Sequence, residues 1–182
     1  MNGGVAWTQG KGRWFPRILP VPGRDTAELR CDLERTLHNG AAAGLSALAL
    51  ELGLISMSVN DPRLGARIEA AQGMICRVLD DLRRIGAALY PPVLVSAGLG
   101  PALRAIAEGR DLRLRLDLPR HDLGAEAHSR TGLLVADHMH TLCPGSVVRV
   151  RVRGRRLVRV HIADRQPGRP GVRHHRAVLR CA

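Results

Sequence analysis

Leu29, Leu33, Leu37, Ala41, Leu45, Leu48, Leu52, Ile55 and Val59 recur at spacings of three and four. That pattern predicts one apolar stripe along a helix of about 35 residues beginning near Asp25, roughly 50 Å long. Asp25 or Thr26 is the expected cap, with Glu28 in the first turn. Asn60-Asp61-Pro62 ends the helix, because proline cannot continue it and Asn and Asp favour turns. A second stripe follows, formed by Leu64, Ile68, Ala71, Ile75, Val78, Leu82, Ile85 and Leu89, and Tyr90-Pro91-Pro92 stops it. Two long helices and a tight turn predict an antiparallel hairpin over residues 25–92. A lone hairpin covers only part of its two stripes, so pairing with a second copy into a dimeric four-helix bundle is expected. The competing arrangement packs the hairpin on the rest of its own chain.

Past Pro92 the pattern is mixed. Gly98 to Ile106 suits a short helix, Leu112 to Leu118 alternates as a half-exposed strand does, and Ser129 to Leu142 has helical spacing. Val148, Val150 and Val152 alternate with arginines. After Gly154-Arg155, Val158, Val160 and Ile162 alternate with Arg159 and His161. A two-residue connection beginning with Gly suits a hairpin turn of the primed type. From Gln166 onward no period is evident. Residues 93–182 therefore read as a small sheet with helices on its apolar face, and the whole chain as α+β. Residues 1–24, with five Gly and three Pro, read as a flexible lead-in.

The chain has 182 residues and a formal net charge of +12, and the placement of that charge says more than its sum. Residues 1–24 carry four basic groups and no acid. Residues 25–145 carry 13 Arg against 15 Asp and Glu, and residues 146–182 carry 11 Arg against Asp164 alone. The middle is nearly neutral, which argues against a uniformly basic nucleic-acid-binding domain. No apolar run is expected to reach the roughly 18–20 residues of a membrane span, and the N-terminus lacks the apolar stretch of a secretory signal. Cys31, Cys76, Cys143 and Cys181 are widely spaced and read as reduced thiols. A cytoplasmic protein without a membrane partner is expected.

One histidine stands out by context. His38 lies mid-helix beside the apolar stripe, and Gly40 and Gly44, each costing the helix about 1 kcal/mol relative to Ala, leave room for a partner to approach. The run Leu33-Glu34-Arg35-Thr36-Leu37-His38-Asn39-Gly40, followed by Leu45-Ser46-Ala47-Leu48, resembles the phosphoacceptor helix of bacterial sensor histidine kinases, in particular the nitrate-sensor type. Leu79-Asp80-Asp81-Leu82-Arg83-Arg84-Ile85, running into Tyr90-Pro91-Pro92-Val93-Leu94, is similar to that subfamily's second helix and its exit toward the ATP-binding domain. The two matches span residues 25–106.

The resemblance implies that His38 accepts the γ-phosphoryl group of ATP and passes it to an aspartate of a response regulator. In the family the next residue is an acid that activates the imidazole; here it is Asn39, which accepts a hydrogen bond but takes no proton. Losing a positioned base typically costs about 10²–10⁴-fold. Ala43 holds the position of the glutamine that serves the reverse reaction. Further on, Leu133 to Thr141 resembles the helix that holds the catalytic Glu and the magnesium-binding Asn, with Asp137 and Thr141 at those places. Val158 to Gly168 resembles the D-x-G-x-G box, with Asp164 at the adenine-reading position, Gly168 at the second glycine, and Gln166 crowding the first. Gly171 to Leu179 is similar to the start of the glycine-rich lid segment.

The implied architecture is a dimerisation hairpin over 25–92 followed, over 93–182, by a degenerate, truncated α/β sandwich of the histidine-kinase ATPase type. The implied ligands are ATP and Mg2+, but with these positions eroded, autonomous kinase activity is not expected. The expected partners are a second copy or an intact histidine kinase, and a response regulator; with no sensory segment expected ahead of the hairpin, the signal is expected to arrive through another protein. Two alternatives stand beside this reading. The Arg-rich C-terminal segment could neutralise phosphates of a nucleic acid, although a solvated strand face is the commoner role for such arginines and no aromatic follows Tyr90 for base stacking. A metal site could draw on Asp137, His138, His140 and Cys143, with His174 and His175. On one helix, however, residues 138 and 140 point apart, so no metal is expected.

Overall fold

The computed structural model describes residues 16–181. The proposed lead-in therefore lies mostly outside the described residues, but its last part is not a free linker. Arg17–Ile18 form a short strand, β1, that pairs in parallel with a C-terminal strand, and Leu19 and Val21 pack against the core.

The long first helix forms as its stripe predicts, in three pieces: α1 (Arg24–Thr36), a π-helical turn (Leu37–Ala42) and α2 (Ala43–Ser58). Gly23, not Asp25 or Thr26, is the N-cap residue, and Asp25 sits in the first turn. Asp61 then caps α3 (Pro62–Leu89): its carboxylate accepts from the Arg63 N–H at 2.9 Å, and Pro62 takes the first turn, where no N–H is needed. α2 and α3 lie antiparallel. Ile68 and Leu79 are buried, whereas α2 buries none of its residues.

The expectation that no apolar run reaches spanning length does not hold for the first helix. Arg24–Ser58 is one helical rod of 35 residues containing a stretch long and apolar enough to cross a membrane by length and composition. Scattered small and polar residues break the run in sequence but contribute little charge. Against a spanning role, α3 lies along α2 and bears Arg67, Glu69, Arg77, Asp80 and Asp81, which would have to leave water with it.

The second half adds α4 (Val93–Ser96), α5 (Leu99–Gly109), β2 (Arg113–Asp117), α6 (Ala125–His140), β3 (Val147–Arg153), β4 (Leu157–Arg165) and β5 (Arg173–Arg180). The chain is α+β with one mixed sheet of order β1-β5-β4-β3-β2. β3, β4 and β5 run antiparallel in sequence, and β2 joins β3 in parallel. Val148, Val150, Val152, Val158 and Val160 are fully buried, with Leu103, Leu133 and Met139 among the helical residues that complete this core. The β3–β4 connection has three residues rather than two. Gly154 opens it at φ +97°, and a Cβ there would collide with the Leu157 carbonyl, so only glycine fits.

β5 corrects the reading of residues 166–182 as patternless and lid-like. Its inward positions are His175, Ala177 and Leu179, alternating with His174, Arg176, Val178 and Arg180. A buried histidine opens the inward series and hides the period. The four-helix bundle is not part of this single chain. Leu48, Ile55, Met74, Val78 and Ile85 are exposed, and by helical periodicity they share one side of the hairpin.

Candidate functional site

Among the described residues, two places bring chemistry-bearing side chains together, and the sequence pointed to His38 at one and to Asp164, His138 and His175 at the other.

The first is His38. The π-helical turn Leu37–Ala42 is wider than the helix on either side and contains Gly40; single π turns are frequent at functional positions. His38, Asn39 and Gly40 are exposed. Glu34, His38 and Ala42 from this helix line a cavity of about 210 Å³ with Leu82, Arg83 and Gly86 of α3 and Pro92. Gly86 is buried beside Glu34, and an added Cβ would meet Glu34 Cγ at an ordinary contact distance of 3.7 Å, so the approach of α1 and α3 at the cavity floor does not depend on glycine. Glu34 and Arg83 are functional candidates that the family motif did not single out. Glu34 sits one turn before His38, a carboxylate where Asn39 supplies none, and Arg83 contributes a guanidinium of the kind that pairs with phosphate. The usable signal was the i, i+4 spacing of Glu34 and His38; the arrival of Arg83 needed the hairpin.

The second is Asp164 on β4. It is fully buried, and its carboxylate is saturated. Arg173 donates from Nε and Nη2 to Oδ2 at 2.8 and 2.7 Å. His138 from α6 and His175 from β5 each approach Oδ1 through Nε2 at 3.0 Å, with ring centroids 4.4 Å apart. A carboxylate only accepts, so both rings donate from Nε2. The Nδ1 of His175 is buried without a partner. Burial pushes the Asp164 carboxyl up, but the hydrogen bonds from His138 and Arg173 outweigh it and hold the group below the ordinary carboxylate range. Burial, reinforced by the neighbouring His138, lowers His175 below the usual imidazole value.

This arrangement does not fit an adenine. All four acceptor directions of Asp164 are taken from within the protein, so the carboxylate has none left for an exocyclic amino group. The other expected nucleotide residues point elsewhere. Asp137 accepts two bonds of 3.0 Å from Arg30 of α1. Thr141 is exposed and donates from Oγ1 to the His138 carbonyl at 2.7 Å, and Gly168 stands in an exposed turn. Asp164 is thus closed off from solvent while Asp137 is held by Arg30, and Gln166 is itself buried.

The same cluster redraws the metal alternative. Of its members only His138 and His175 come together, with ligand atoms within 4.8 Å of each other and of Asp164. Asp137 faces Arg30, while His140, Cys143 and His174 are exposed. Two histidines and a carboxylate form a known ligand set, but the one negative charge is already balanced by Arg173. A divalent cation would have to displace both imidazole hydrogen bonds and sit beside that guanidinium.

No family model matches the sequence, and no curated protein is similar to it. Among solved structures, the Erythrobacter litoralis EL346 blue-light activated histidine kinase is similar at 20% identity, with a TM-score of 0.33. The match covers 69% of this chain and 46% of that one, so the chain spans less than half of that kinase. A likeness of that size adds nothing to what the geometry carries.

Proposed function

We propose that the chain is a histidine-kinase-like signalling protein of a two-component phosphorelay. In this reading the hairpin dimerises and presents His38 as a phosphoryl acceptor, while the α/β unit does not use ATP. The observation that carries it is the placement of His38: exposed, on a π-helical turn, sharing an open cavity with Glu34 and Arg83. The imidazole can attack the phosphorus of a donor while the donor's phosphorus–leaving-group bond breaks and its electron pair departs with that group, Glu34 can accept the displaced ring proton, and Arg83 can balance charge on the transferred group. The saturated Asp164 supports the second half, because a donor site that cannot read adenine leaves the phosphoryl group to come from a partner kinase. The exposed stripe Leu48, Ile55, Val78 and Ile85 supports dimerisation, with a second copy or with an intact histidine kinase.

The test separates the two halves. Radiolabelled ATP alone is expected to leave the purified protein unlabelled. Phosphoramidate, which phosphorylates imidazoles directly, is expected to give an alkali-stable, acid-labile phosphoprotein, and His38→Gln removes it. Labelling by ATP that disappears in His38→Gln would make the chain an autonomous kinase. Phosphoramidate labelling that persists in His38→Gln would end the acceptor assignment.

A further inference from the structure

The sheet has two faces of opposite character, and only one of them is used by the core. On the outward face, arginine occupies nine of the positions on β2, β3, β4 and β5, against the single carboxylate Asp117. That acid is already shared by Arg151 and Arg153 at 2.9 and 2.6 Å. The register sets like charges directly across from one another: Arg115 opposite Arg149, and Arg153 opposite Arg159. Opposed like charges weaken a sheet. A merely solvated face has no need of them, since any intervening acid would relieve the strain. Neighbouring strands lie about 4.8 Å apart and alternate residues about 6.7 Å apart along a strand, so the guanidinium groups tile a dense cationic plate. Its field is felt locally: desolvation lowers His161 below the ordinary imidazole value, and the cations of Arg176, Arg151 and Arg159 deepen the shift. Arg176 donates to the His161 Nδ1 at 3.3 Å, which requires that nitrogen to be unprotonated.

We infer that this face docks the phosphate backbone of duplex nucleic acid, without sequence preference. Guanidinium groups match phosphate geometry, and a bound polyanion would relieve the Arg115–Arg149 and Arg153–Arg159 repulsion. The face carries no Phe, Tyr or Trp, so it lacks the large stacking platforms on which single strands are held and the aromatic anchors typical of membrane-surface binding. Strands twist by about 20–25° from one to the next. A planar bilayer would meet only a diagonal of such a surface, whereas a backbone ridge can follow it.

Fluorescence anisotropy of the full chain with a labelled random-sequence duplex, across a salt series, tests the assignment. Micromolar binding at 50 mM salt is expected, weakening roughly 10³-fold by 200 mM for about six phosphate contacts. Arg149→Gln and Arg159→Gln each remove one member of an opposed pair. Together they are expected to weaken binding at least about tenfold and to lower the salt slope by about two. The same double variant is expected to melt no lower than the parent, so a loss of binding with intact melting is a surface effect and not unfolding. No binding at 50 mM salt, an affinity indifferent to both substitutions, or equal binding to phosphatidylserine vesicles overturns the inference.

Discussion

The helical hairpin and the α/β unit use the same aliphatic residues and dispose of them in opposite ways. α2 is mostly Leu, Ile, Met, Ala and Gly, yet none of its residues is buried. β3 and β4 hold alternating valines among arginines, and those valines are wholly enclosed. The sheet finds its cover in the same chain, because α5 and α6 lie across its inner face. The hairpin meets only α3 along most of α2, and Leu50, Leu54 and Met57 project from the side away from the Leu48–Ile55 stripe. An apolar pattern thus states that burial is needed somewhere; it does not say which chain provides it.

The largest effect that would sharpen this contrast is expected at Asp164. Asp164→Ala leaves Arg173 and two buried histidines without their acceptor, which should cost about 3–5 kcal/mol in urea denaturation. A loss under 1 kcal/mol would show that the cluster is not what holds β4, β5 and α6 together. Next comes Ile55→Glu, a charge placed in the exposed hairpin stripe. Light scattering after size exclusion should find the parent dimeric and the variant monomeric, with far-UV circular dichroism preserved. A monomeric parent would mean that the hairpin and the sheet differ for a reason other than a missing second copy.

Acid should act on the α/β unit first. His175 and His161 both have folded-state pKa values below the ordinary 6.5, so the unfolded chain binds more protons as pH falls through about 6.5, and stability declines from there toward their folded values. Asp164, also lowered, adds a second loss at more acidic pH, when its folded carboxyl finally protonates. Denaturation midpoints measured from pH 7.5 down to pH 4.5 should therefore decrease, and His175→Gln should flatten the upper part of the decline. The smallest effect is expected at the seam between the regions. Arg30→Ala removes the half-exposed pair with Asp137 and should cost at most about 1 kcal/mol; a larger loss would mean that hairpin and sheet fold as one unit.

Much of this is legible in the sequence. Leucine periodicity placed both long helices nearly to the residue, Asn60-Asp61-Pro62 placed the turn, and the valine alternation placed β3 and β4. β5 escaped because His175 stands where an aliphatic residue was needed to mark the inner face. β1 escaped because two residues carry no period, and its pairing with β5 spans most of the chain. At the candidate sites, the motif pointed to His38 but not to Glu34 or Arg83, which line the same cavity. Asp164 was picked out, yet its surroundings were misread: the motif supplied a carboxylate and could not show that Arg173, His138 and His175 would fill it.

By itself, the sequence determined the elements, since helix and strand periods, caps and breakers act over a few neighbouring residues. It also determined the charge contrast between a balanced middle and a basic end. Only the tertiary structure decided what those elements face. The register of β2 to β5 turned scattered arginines into one cationic surface, and the meeting of α6, β4 and β5 turned an expected nucleotide ligand into a closed buried network. Such outcomes depend on contacts between distant residues, where direction and desolvation decide the chemistry and local pattern carries no record of either.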